Sequence, residues 1–172
     1  YIFSNDQILG TIEESKDTIY DLKNQLLSLT SLSNLVRLVI NVLDPIGNIL
    51  GTIKKRRGYY NDFQCYLPDD EKPTIIKPEL KIKSSKITVS DENGHDLVVA
   101  NSGYGATDFT VIDHQTTQVI AIIKRRSKVY HTVKENLLHD DGYYITKQPL
   151  DPLLTLSLIA MVIIIDMYYF NH

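Results

Sequence analysis

The stretch DPLLTLSLIAMVIIIDMYYFNH, residues 151 to 172, decides the fold of this 172-residue chain. Its uncharged run, residues 153–165, makes roughly 20 Å of helix at 1.5 Å per residue. A hydrocarbon core is about 30 Å thick, so spanning one would draw Asp166 inside, where a carboxylate costs about 2.5 kcal/mol or more. Only Lys147 supplies a basic flank. The segment is nonetheless apolar on every face, and such a helix is buried in either lipid or protein. Asp151 is its expected N-cap and Pro152 its first residue, because the fixed φ of proline suits a first helical turn that needs no donor there. A protein interior requires a container, and the rest of the chain is read for one.

Three earlier segments align with one another: INVLDPIGNILGTIKKR from Ile40, ITVSDENGHDLVVANS from Ile87 and FTVIDHQTTQVIAIIKRR from Phe109. Each opens apolar-polar-Val, reaches an aspartate two positions later (Asp44, Asp91, Asp113) and resumes apolar residues after five to seven positions. A shorter copy, TIYDLKNQLLSL, puts Asp21 in the same role, and SNDQILGTI near the start looks like a remnant of another. Apolar alternation at period two is a strand signal, and Asp with Gly or Asn between two such runs is a hairpin turn. The repeated aspartates are therefore expected to cap turns, not to act as catalytic acids. Leu22, Leu26, Leu29 and Leu32 also have near-helical spacing, so a helix is the alternative for residues 17–43. Pro68, Pro73, Pro78 and the acids from Asp69 to Glu71 mark residues 67–78 as an exposed connection. Residues 101–108, NSGYGATD, read as another connection, and strands are expected at 130–133 and 143–146 with Asp140-Asp141-Gly142 as a turn. A long meander must close or stack to hide its edges.

The V-x-D-x-x-G turns at Asp44 and Asp91, the degenerate copy at Asp113, the basic strand end IIKRR from Ile122, and DGYYI leading into the apolar helix resemble, in this order, the tubby C-terminal-like superfamily. Within it the likeness is to small bacterial proteins related to the plant LURP-one proteins, and it covers nearly the whole chain. The resemblance implies one mainly-β domain over residues 1–172. Hairpin repeats over 1–149 would form a closed antiparallel barrel of about twelve strands, with residues 150–170 as its central apolar helix. It also implies a non-enzymatic module, since tubby domains bind phosphoinositide headgroups through basic side chains. The acidic calcium-binding stretch of the related scramblases has no counterpart here, so scramblase activity does not carry over.

The formal charge of −3 argues against a general polyanion binder and leaves local clusters as the candidates. Lys54, Lys55, Arg56 and Arg57 end the first full hairpin, and Lys124, Arg125, Arg126 and Lys128 end the third at almost the same repeat position. Together they could hold an anionic phospholipid headgroup by charge and bidentate guanidinium contacts. Lys77, Lys81, Lys83 and Lys86 read as an exposed strand face. No cofactor or metal site is expected: Cys65 is alone, His95, His114 and His131 share no ligand spacing, and His139 sits beside turn acids. Nucleic acid is disfavoured by the acidic balance, and no phosphate loop or nucleophile elbow is present. No secretory signal is visible, so the expected place is the cytoplasm, peripheral to an anionic membrane. The alternatives are a protein-interaction scaffold using the 67–78 loop or strand edges, and a tail anchor using the helix.

Overall fold

A computed structural model describes residues 2–4, 7–16, 35–58, 62–70, 72–79, 81, 84–103, 108–126 and 142–169. Eleven strands follow in order: β1 (Ile2–Ser4), β2 (Gln7–Glu14), β3 (Leu38–Leu43), β4 (Ile49–Lys55), β5 (Phe63–Tyr66), β6 (Thr74–Glu79), β7 (Ser85–Ser90), β8 (Asp96–Ser102), β9 (Asp108–Asp113), β10 (Val119–Arg126) and β11 (Gly142–Lys147). Helix α1 (Pro152–Tyr169) closes the series. Each strand pairs antiparallel with the next, so the sheet order is the sequence order.

The repeated unit is a hairpin whose turn is built on its aspartate. Asp44 Oδ1 accepts the N–H groups of Ile46 and Asn48 at 2.9 and 2.8 Å, and Asp91 Oδ1 accepts those of Asn93 and His95 at 2.8 and 2.9 Å. Gly47 and Gly94 then take φ of 92° and 86°, where a side chain would be strained. In the third copy Asp113 Oδ1 accepts from Gln115 and Thr116, and Thr117 adopts the left-handed conformation in place of glycine, with φ of 57°. These donors hold all three carboxyls below the usual range, Asp91 at about 2 with the His95 ring as its strongest partner. A register shift flanks each of the three turns, between Val42 and Leu43, Val89 and Ser90, and Val119 and Ala121.

One face of the sheet meets the helix. Val42, Ile53, Phe63, Ile76, Val89, Val98, Val111 and Ile123 join Leu156, Ala160, Met161, Ile164 and Ile165 in a single apolar cluster. Gly51 permits the closest approach, since a Cβ there would lie 2.5 Å from Leu156 Cδ2. Asp151 caps the helix as its position suggests, accepting the Leu154 N–H on Oδ1 at 2.9 Å. The uncharged run is shorter than a bilayer core, and among the described residues no helix is long and apolar enough to cross a membrane.

The closed barrel of about twelve strands is overturned. Pairing begins at β1 and ends at β11, and among the described residues no ladder joins the two. The helix carries the same information. Positions 156, 157, 158, 160, 161, 164 and 165 are buried and span roughly 200° of its circumference at about 100° per residue. Thr155, Ile159, Val162, Ile163 and Asp166 form the remaining stripe and are only half-buried, whereas a closed barrel would cover them too. The expectation failed because burying an inner face requires only the helix, not closing hydrogen bonds. Nor does β1 need hiding, since three residues leave little unpaired backbone. A second correction concerns the 67–78 connection: residues 74–79 form β6, with Thr74 and Ile76 buried. Residues 17–34, with Asp21 and most of the proposed helix alternative, and residues 130–133 lie outside the described residues; 38–43 of that alternative is strand β3.

A small polar cluster fixes the helix along the sheet. Ser157 donates to the Leu153 carbonyl at 2.8 Å, leaving its oxygen to accept from the Thr74 hydroxyl at 2.9 Å. Cys65, cross-strand from Thr74, bonds into the same pair. Burial pushes the Cys65 thiol up to about 12, so at pH 8 only about one thiol in ten thousand is ionised. A chromogenic disulfide reagent is therefore expected to leave the native protein unlabelled for hours and to titrate one thiol in urea. Labelling of the native protein within seconds would contradict this packing.

Candidate anion-binding end of the sheet

In a sheet of sequential antiparallel strands, all even-numbered strands run the same way. The last residues of β4 and β10, which carry the two basic clusters, must therefore lie at the same end. Helix α1 starts at the other end, where Asp151, Asp113, Thr74 and Leu97 border a cleft of about 340 Å3. It finishes at the basic end, where Asp166 accepts a hydrogen bond from the Tyr143 hydroxyl at 3.1 Å. The aspartate that would burden a membrane helix thus has a donor in the sheet.

Period two then divides the cations. On β4, Gly51, Ile53 and Lys55 face inward, while Lys54 points out. Lys55 is only 3% exposed; its Nζ reaches the Val36 carbonyl at 3.3 Å, and burial lowers its pKa. On β10, Ala121 and Ile123 are buried and Arg125 shares their parity, half-buried, with Lys124 exposed outside. Arg125 bonds to the Tyr143 hydroxyl. Burial first, and then the Asp166 carboxylate, push Tyr143 far up, so it remains a donor throughout the physiological range. Lys55 and Arg125 thus occupy equivalent inner places in their repeats, which the bare run of four cations concealed. Lys54 lies over the Tyr66 ring, 4.5 Å from its centroid, and Arg56 is exposed. Arg57 is half-buried; Arg126 ends β10 opposite Gly142, and Lys128 lies outside the described residues.

The family model described as LURP-one-related matches residues 3–166. The chain belongs to the LURP-one-related family. Comparison with curated proteins and with solved structures finds no match.

This LURP-one-related sheet is electrically polarised from end to end. The basic end holds, besides the two clusters, Lys16 and Arg37 beside the β2 and β3 termini. Lys77, Lys81 and Lys86 add to it around β6 and β7, all three exposed, while Lys83 lies outside the described residues. These twelve described cations stand against six described carboxylates: Glu13, Glu14, Asp62, Glu79, Asp108 and Asp166. At the opposite end the described turns and strand termini carry eight carboxylates, among them Asp69, Asp70, Glu92 and Asp96, against Lys72 and Lys147. A chain of near-neutral overall charge hides this separation in its sum. Among the described residues no group of three or more His, Cys, Asp or Glu is placed to hold a metal ion. His95 is occupied by Asp91 at 3.0 Å, and His131 and His139 lie outside the described residues.

Proposed function

We propose that this chain is a non-enzymatic module that binds anionic phospholipid headgroups peripherally, at the cytoplasmic face of a membrane, through the basic end of its sheet. The finer kinship with tubby C-terminal-like proteins belongs to the same reading. The observation that carries it is the placement of both repeat-end clusters at one end, with Lys54, Arg56 and Lys124 turned to solvent. Each cation near an anionic leaflet contributes about 1 kcal/mol, so these three contribute about 3 kcal/mol, roughly a hundredfold in partitioning. Flotation with phosphatidylserine-containing vesicles checks this. The triple variant K54A/R56A/K124A is expected to lose recovery roughly a hundredfold in apparent affinity at low salt. Equal recovery of the native chain on neutral and anionic vesicles, or no loss in the variant, would sink the proposal.

A second reading, a protein-interaction surface, is favoured by a different observation at the acidic end. Ile46, at the tip of the β3–β4 turn, is 85% exposed, and Ile8, Leu9, Ile49 and Leu50 on β2 and β4 are exposed beside it. Changing Ile46 to Ser leaves vesicle binding unaltered if the basic end is the lipid site.

A further inference from the structure

We infer that the basic end meets an extended anionic lipid surface end-on, and that among the described residues its inner cations form no pocket for a single headgroup. This deepens the reading above and rests on it. Among the described strand residues, the inner cations that could begin such a pocket are already engaged: Lys55 with the Val36 carbonyl, Arg125 with Tyr143 beside Asp166. The cations left to solvent stand on the outer face. Lys54 on β4 and Lys124 on β10 are six strand steps apart, about 29 Å along the sheet at about 4.8 Å per step. The inner faces of β3 through β10 share one core with the helix, so the sheet curves around it and outward side chains diverge. Divergent cations grip a plane of many charges better than one charge.

The polarity of the molecule points the same way. A negatively charged plane attracts the twelve-cation end and repels the end with eight carboxylates, so the field that draws the protein in also orients it. A polynucleotide fits less well. Among the described residues, the ring beside the outward cation Lys54, that of Tyr66, has the ammonium over one face, which is then closed to a stacking base.

The test measures binding of the full chain to phosphatidylcholine vesicles with rising phosphatidylserine, and to vesicles carrying phosphatidylinositol bisphosphate at matched surface charge. Expected are a steep rise with phosphatidylserine content, affinities within threefold at matched charge, and a loss of more than tenfold as salt rises well above physiological strength. Millimolar inositol trisphosphate should not displace the protein. A saturable one-to-one isotherm with inositol trisphosphate, or a tenfold preference for one headgroup at matched charge, would overturn the end-on inference and leave lipid binding standing. A single-stranded oligonucleotide binding more tightly than the vesicles would also overturn it. No binding to any anionic vesicle would remove both this inference and the proposed function.

Discussion

Ending the chain at Leu150 is expected to abolish folding. Without α1 the inner face of the sheet loses its cover. Leu156, Leu158, Met161, Ile164 and Ile165, all nearly inaccessible, vanish along with Ala160. Each large apolar side chain is stabilised by about 1.5–3 kcal/mol when fully buried, so these five account for roughly 7–15 kcal/mol. A domain of this size has about 5–15 kcal/mol of stability in all. The uncovered face would further expose Phe63, Phe109 and six or more branched residues to water. The truncated chain should appear in the insoluble fraction, or as a species without a cooperative thermal transition by circular dichroism. A soluble truncated monomer that melts cooperatively would show that the sheet does not depend on the helix.

The second large effect is expected at Phe63, which is 0% exposed. It lies on β5 opposite Lys55 of β4 and Ile76 of β6, so its ring occupies the core where the inner lysine begins. Phe63→Ala removes the ring and leaves a cavity that a sheet bonded on both sides closes poorly. The cost is about 3–5 kcal/mol, a large part of the total stability. Phe63→Leu keeps most of the volume and should cost less than half as much. Urea titrations followed by circular dichroism measure both. A loss below 1 kcal/mol for the alanine variant would mean that the ring is not packed as described.

Much of the architecture was legible because its signals are local. The turns at Asp44 and Asp91 announced themselves by an acid followed by glycine, and Asp113 by its place in the repeat; all three carboxylates cap turns. Asp151 and Pro152 marked the helix start for equally local reasons. Residues 74–78 were misread because three prolines suggested a connection over 67–78. Yet only Pro78 lies within β6, and the burial of Thr74 and Ile76, which identifies the strand, depends on neighbours distant in sequence. Closure is not local at all: it depends on how two strands at opposite ends of the chain meet. At the basic end, the repeat places both basic runs at equivalent strand ends, but their separation across six strand steps and the division between Lys54 outside and Lys55 inside needed the sheet order and register. With register in hand, period two carries both Lys55 and Arg125 to the inner face.

The sequential order of the strands has a consequence for how this protein is made. Every pairing in the sheet joins strands consecutive in the chain, and apart from the longer connections 15–37 and 127–141 each hairpin can close over a short loop as it leaves the ribosome. The long-distance partner is α1, which is synthesised only after all eleven strands. Until it emerges, the nascent sheet presents its apolar face with nothing to pack against. Completion of the core is therefore a late step, tied to translation of the last strand and helix, and that interval is when the chain most needs protection from its neighbours.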